Sequence, residues 1–407
     1  MYFYSDEEKK LLGRYFRYLR KERKVPIKII KNTLSFSYPT YHDIEKGVSK
    51  KDDELYDEII KMYFVKYTLN NKIYKLLNQN IENLYKAVER FDKITIHNFI
   101  NVFFEDYDNY KNDALFKELF ITLKIIKKYY INNQYLTIEE IINVIPLIQL
   151  WHNHLSSILI EICEFSNLNV HYSTKTSHLL FENIEIIDSI STYWYARECV
   201  MHMKYSEAIN MFYDLNKYYE EQKNLERKAR VMIQEFCIYR DIDYDKAIIF
   251  SKDLTQIVQK ENLSNTVKEN ISYVLAMFYY LHQYYREALD FFEKTFSINN
   301  NPLYLIYIYA CKSRLKIYIE FDERVDKKFS LYHYLYFYKL KSMQVNDKKL
   351  EEYIMVDLMK YLLQEKYEQP FWNMFEYELR QIVLITRNYK NLQKYRENFE
   401  FATKTVF

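Results

Sequence analysis

Glycine is almost missing from this chain: two residues in 407, Gly13 and Gly47, with none after position 47. Phosphate-cradling loops, dinucleotide-binding turns and nucleophile elbows all need glycine where the backbone approaches a ligand closely. None of these can be built beyond residue 47, and no HExxH motif is present, so the sequence reads as a non-enzyme without a cofactor. Asn-Gly hairpins are excluded on the same ground. Cysteine is scarce as well. Cys163, Cys199, Cys237 and Cys311 lie 36 to 74 residues apart, with no CxxC or zinc-ligand spacing, and read as reduced, mostly buried thiols. The N-terminal MYFYSDEEKK has no charged-then-apolar leader, and no run of eighteen apolar residues occurs, so a cytoplasmic protein without a membrane partner is expected. Two further patterns invite a metal or catalytic reading and do not sustain it. His152 and His154 in Trp151-His152-Asn153-His154 sit at i and i+2, which point apart on a helix, and no metal site is read there. The adjacent acids Glu139-Glu140 and Glu351-Glu352 read as solvated faces.

What remains is helical, aromatic and unevenly charged. Apolar residues recur at three and four almost throughout, which predicts an all-α chain. The 44 tyrosines, with abundant lysine, isoleucine and asparagine, suit the codon bias of an AT-rich genome and do not by themselves mark a binding surface. The net charge of +2 conceals a strong asymmetry. From Lys9 to Lys51 there are 13 Lys and Arg against three acids, a net of +10, whereas the rest of the chain is net −8. A basic block of this kind is the electrostatic footprint of a domain that displaces counterions from phosphates.

The basic block also carries a pattern. Phe16 and Leu19 share one face of a first helix, and Tyr41 and Ile44 share one face of a later helix. Ser37 is a good N-cap before that later helix, Pro39 falls in its first turn, and Gly47 supplies a left-handed stop. With Val25, Ile30, Leu34 and Phe36 at further core positions, and Arg17, Arg20 and Glu45 at polar ones, the segment resembles the helix-turn-helix of Xre/Cro-type repressors, a lambda-repressor-like fold. It departs from that family at Lys31 and Ser35, where Ala and Gly are usual. The resemblance implies a DNA-binding domain over residues 1–66 whose helix from about Tyr38 to Lys46 enters the major groove. Tyr38, Pro39, Thr40 and Asp43 would lie nearest base edges, His42 at the rim, and Ser37, Lys28, Lys31 and Lys46 on phosphates. It also implies an ion pair between Arg20 and Glu45 that bridges the first and third helices. A lysine-rich helical bundle is the plain alternative.

Residues 67–407 suggest a helical repeat array, clearest over about 188–320. Leu275-Ala276, Tyr279, Tyr285, Ala288 and Phe292 recur as Tyr195-Ala196, Cys199, Tyr205, Ala208 and Phe212, with a half-copy at Tyr244 and Ala247. Ala310 follows Ala276 by 34 positions. The spacing resembles tetratricopeptide repeats and implies a tetratricopeptide-like α-solenoid; an irregular helical bundle stays open. Taking Ala196, Ala276 and Ala310 as equivalent, that geometry puts Tyr193, Arg197, Tyr273, Met277 and Tyr307 on a concave face, extended by Asn270 and Tyr304. Such a set suits an extended peptide, because amides pair backbone groups, aromatics take apolar side chains and Arg holds a carboxylate. Several of these aromatics packing between helices is the alternative. An Xre-type head on a tetratricopeptide-like body resembles the cytosolic peptide-pheromone receptor regulators of Gram-positive bacteria, the Rgg, PlcR, PrgX and NprR class used in quorum sensing. The resemblance implies a homodimeric transcription regulator with a double-stranded DNA operator and a short signalling peptide as partners. Two other readings stand beside it: a Rap-like scaffold that docks a response regulator or other protein, and a mobile-element repressor with no peptide ligand. Phe371, Trp372 and Phe375 are the candidate dimer contacts, or else cap the last repeat.

Overall fold

The computed structural model describes residues 4–34, 37–48, 50, 52–67, 71–110, 113–151, 153–170, 174–181, 186–260, 263–321, 326, 329–364 and 369–404. Among them the regular structure is helical, with no strand, and the chain is all-α. No described helix is long and apolar enough to cross a membrane. None of the four cysteines is in a disulfide, and Cys163, Cys199 and Cys311 are buried.

Four short helices open the chain: α1 (Asp6–Glu22), α2 (Ile27–Thr33), α3 (Tyr38–Glu45) and α4 (Glu54–Met62). Ser5 and Glu8 start α1 with a reciprocal capping box, the Ser5 amide donating to Glu8 Oε2 at 2.8 Å. Ser37 caps α3 by accepting from the Thr40 amide, and Pro39 sits in the first turn, where no N–H is needed. The helix ends at Gly47 (φ 79°), with the Val48 amide reaching back to the Asp43 carbonyl at 2.9 Å. Phe16, Leu19, Ile30, Tyr41 and Ile44 are buried together with Tyr56 and Ile59 of α4, while Val25 and Leu34 are partly buried at the rim. Ser35 and Phe36 lie outside the described residues.

The first compact unit runs to Ile238 and the second begins at Tyr239, a division that falls inside a helix. The first unit continues through α5 (Asn71–Glu89), α6 (Lys93–Asp106), α7 (Ala114–Tyr130), α8 (Ile138–Trp151), α9 (His154–Val170) and α10 (Thr174–Phe181). It then adds α11 (Ser189–Met201), α12 (Tyr205–Glu221) and most of α13 (Leu225–Ile242). One continuous core runs from Tyr4 through the basic segment to Ile238, because α1 packs on α8 as well as on α3. Polar contacts reinforce that seam: Tyr18 donates to Glu118 Oε2 of α7 at 2.9 Å and Lys21 to Gln149 of α8 at 3.4 Å.

The second unit contains α14 (Tyr244–Val258), α15 (Asn265–Leu281), α16 (Tyr285–Asn299), α17 (Leu303–Arg314) and α18 (Ser330–Ser342). Beyond these, α19 (Asp347–Tyr353) passes through a π-turn into α20 (Met359–Gln364), followed by α21 (Gln369–Thr386) and α22 (Tyr389–Lys404). Consecutive helices α11/α12 and α15/α16 pack as hairpins across three-residue turns. Ala196, Ala208, Ala276, Ala288 and Ala310 are all fully buried, which fits small side chains at close helix crossings. In the same register, nine before Tyr244, the chain places Glu235 where Ala196 and Ala276 stand. This carboxyl is buried, accepts a hydrogen bond from Asn216 of α12, and burial raises its pKa to about 7.

Two readings of the surface are corrected here. Phe371, Trp372 and Phe375 are buried within their own unit and offer no exposed face to a second copy, because α18 and α22 cover α21. Phe371 meets Tyr307 and Tyr334, Phe375 meets Tyr334, Phe337 and Tyr338, and Trp372 meets Tyr395. Nor does Glu351 lie on a solvated face. It is buried and accepts from Asn391 at 2.6 Å, since α19 packs against α21 and the start of α22 reaches it.

Candidate functional site

Gly13 sets the geometry of the basic segment. A Cβ at this position would overlap the Ile44 carbonyl oxygen, so only glycine lets α1 cross α3 this closely. Across the same crossing, Arg20 donates from Nε to Glu45 Oε1 at 2.6 Å and from a terminal nitrogen to Oε2 at 2.8 Å. Glu45 is 2% exposed, and the hydrogen bonds it accepts raise the Arg20 pKa. The paired charge is tolerated in the core because the two planar groups satisfy each other. A buried tyrosine pair, Tyr41 and Tyr63 at 3.0 Å between hydroxyls, lies beside it and ties α3 to the end of α4.

The start of α3 faces outward. Ser37, Tyr38 and Pro39 are exposed, Thr40 is half-buried, and the Tyr38 ring stacks on His42 with centroids 5.9 Å apart. Lys28 and Lys46 are exposed; Lys31 lies on α2, and its side chain is outside the described residues. Two expected contacts are otherwise engaged. Asp43 is ion-paired with Lys50 at 2.7 Å, which lowers its pKa, and the Ser37 hydroxyl serves as the α3 cap and also meets the Thr40 hydroxyl at 2.8 Å. Part of the basic excess is likewise internal, since Lys9 pairs with Asp53 at 2.6 Å and Arg23 donates to the Tyr63 carbonyl at 2.6 Å.

The seven expected peptide contacts divide between the two units. In the first, Tyr193 is buried against Trp194 and Phe212, and Arg197 lies over the Trp194 ring at 4.9 Å. In the second, Asn270 is exposed, Tyr304 donates to Glu269 at 2.7 Å, and Tyr273 packs on Tyr304. Tyr307 is buried in a stack on Phe292 with centroids 4.9 Å apart. Tyr193 and Tyr307 are therefore core residues over most of their surface, because the tyrosine-rich hairpins fill their own crossings with rings.

Met277 and the edge of Tyr307 nevertheless border a groove of about 460 Å³ in the second unit, completed by Tyr280, Leu281, Tyr285, Met374 and Tyr377, with Gln283 and Asn373 as amide groups. This volume suits a few side chains of a ligand. Behind its wall, the fully buried Glu378 takes both Arg314 and Lys341, and the Arg314 guanidinium lies 4.6 Å from the Tyr377 ring. Burial lowers the Lys341 pKa. The contribution of α21 to this groove has no signal in the repeat spacing, which ends before it.

Two histidine sites complete the inventory. His152 is outside the described residues, and His154 is held between Glu82 at 2.8 Å and Asp188 at 2.9 Å while stacking on Tyr85. Burial works against its charged form, but the two carboxylates prevail and its pKa is raised. His178 of α10 and His202 at the end of α11 approach Glu198, with ligand atoms all within 4.8 Å of one another. The Glu198-x-x-x-His202 spacing is visible in the sequence; the arrival of His178 from another helix is not. Compared with protein-family models, curated proteins and solved structures, the chain matches none.

Proposed function

We propose that this protein is a DNA-binding transcription regulator of the Xre type, whose helical body binds a short peptide. The observation that carries the reading is the joint geometry of α1 and α3. Gly13 and the Arg20–Glu45 pair fix α3 against α1 while Tyr38, Pro39 and Thr40 remain outward at its N-terminus, within a segment of net charge +10. In this reading α3 lies in the major groove, with Lys28 and Lys46 on flanking phosphates. Asp43, engaged with Lys50, shapes the edge of the surface instead of reading a base. A single head of this size makes few phosphate contacts, so a symmetric dimer on paired half-sites completes the site. The peptide's apolar side chains occupy the groove beside Met277 and Tyr285, with Gln283 and Asn373 on its backbone.

The test is DNA binding by the full chain, selected from random duplexes and then titrated with salt. Lys28→Ala is expected to weaken binding about equally on all sequences and to reduce the salt slope by about one, whereas Tyr38→Ala changes sequence preference. A chain that selects no duplex, or a Lys28→Ala variant with altered preference and an unchanged slope, overturns the assignment. Sedimentation with and without the selected duplex tests the dimer.

A further inference from the structure

Glu198 is an unusual residue for a helical hairpin. Its side chain is only 6% exposed, and its Oε2 atom is buried without a hydrogen-bond partner. Leaving a carboxylate oxygen in this state is costly unless a cation completes it. The other oxygen, Oε1, lies 3.0 Å from His202 Nε2 and 3.7 Å from His178 Nδ1. Both imidazoles are open to solvent, with His178 at 69% and His202 at 50% side-chain exposure, so an ion has an entry path.

The backbone favours the same charge. His202 is the C-cap of α11, at the negative end of the helix dipole. On the other side, Ser177 donates to Glu164 Oε1 of α9 at 2.6 Å, which holds α10 in place and leaves the adjacent His178 toward Glu198. Tetrahedral coordination with bonds of about 2.0–2.2 Å sets donors roughly 3.4 Å apart, so the present spacings need only small side-chain movements. Two imidazoles and one carboxylate, without thiolate, match Zn²⁺ and neighbouring first-row ions and not Mg²⁺ or Ca²⁺.

We propose that His178, Glu198 and His202 form a site for a divalent transition-metal ion of the Zn²⁺ class, which clamps α10 onto the C-terminal end of α11. Three protein donors leave a fourth position for water. The ion joins two helices that follow one another in the chain, so its effect is local to this part of the first unit.

The experiment uses the full chain, metal-stripped, with Zn²⁺ followed by calorimetry and Co²⁺ as a visible-absorption probe. One ion per chain is expected. His178→Ala and His202→Ala, both at exposed positions, should each weaken binding at least about tenfold while leaving the circular dichroism unchanged. His282→Ala is the control: it occupies the corresponding turn of the α15/α16 hairpin but is packed against Tyr244 and Phe278 rings. Its affinity should equal that of the parent. Equal Zn²⁺ affinity in the His178→Ala, His202→Ala double variant, or no stoichiometric binding by the parent, overturns the site.

Discussion

Gly13 and the Arg20–Glu45 pair act at one crossing but by different physics. Gly13→Ala forces a methyl group into the Ile44 carbonyl, and helix separation or strain of this kind costs about 1–3 kcal/mol or more. Urea unfolding should show this loss; an unchanged midpoint would mean that α1 and α3 do not meet as described. Glu45→Ala leaves the Arg20 guanidinium facing a desolvated gap, and Arg20→Ala leaves the Glu45 carboxylate buried alone. Removing either partner of a buried pair costs roughly 3–5 kcal/mol, at the lower end here because Arg20 keeps some solvent exposure. Arg20→Lys should restore little, since an ammonium cannot make the two parallel bonds. Thermal denaturation of the three variants checks this ordering.

Among the helices, the shortage of glycine is met by strain. Met203 (φ 58°), Lys223 (φ 53°) and Gln283 (φ 66°) take the left-handed position after a helix, where the following amide bonds back to the carbonyl five residues earlier. A side chain there costs about 1–2 kcal/mol relative to glycine, partly offset by glycine's greater unfolded-state entropy. Met203→Gly is therefore expected to raise stability by about 0.5–1 kcal/mol, since Met203 is 78% exposed and contributes little packing. A fall in the denaturation midpoint would show that the exposed side chain does more. Glu235 sets a pH dependence of its own. Its folded pKa of about 7 exceeds the ordinary 4.5, so the folded state holds the proton more tightly. The stabilisation is complete below about pH 4.5 and is lost as pH rises through 7. Glu235→Gln should match the parent at about pH 4 and exceed it at about pH 8 by up to about 3 kcal/mol, as read by urea unfolding. Equal stability at both values would mean that the carboxyl is not desolvated.

Across the first unit, the basic segment and the helices after it share one core. Cutting at residue 66 would expose the face of α1 that packs on α8 and remove the Glu118 acceptor of Tyr18. A fragment of residues 1–66 is expected to unfold at a lower temperature and less cooperatively than the full chain, by circular dichroism. A second buried tie holds together helices of the same unit beyond residue 66. Arg227 at the start of α13 donates to the Glu89 carbonyl at 3.0 Å and to the Val88 carbonyl at 3.2 Å, and is ion-paired with Glu161 of α9, which also accepts from Tyr130 at 2.6 Å. Both charged groups are buried, so truncating Arg227 strands Glu161 among apolar neighbours.

Helical class, the limits of α3, the Ser37 cap, the Gly47 stop and the alanine register are legible in residue order. They depend on contacts within a few residues, on a 3.6-residue period and on the conformational freedom of one glycine. The Arg20–Glu45 pair is expected only from the resemblance to a helix-turn-helix pattern, and the structure places the two side chains together. What residue order could not supply is the partner on the far side of each helix. A run of tyrosines has the same spacing whether its rings line a groove or fill a crossing, and folding buries Tyr193 and Tyr307 while leaving Met277 at a groove edge. Phe371, Trp372 and Phe375 look exposed in the sequence only because α18 and most of α22, which cover them, lie outside any local period. His178 reaches Glu198 for the same reason: long-range packing brings together side chains that no local period relates, and it also joins the basic segment to the helices that follow it.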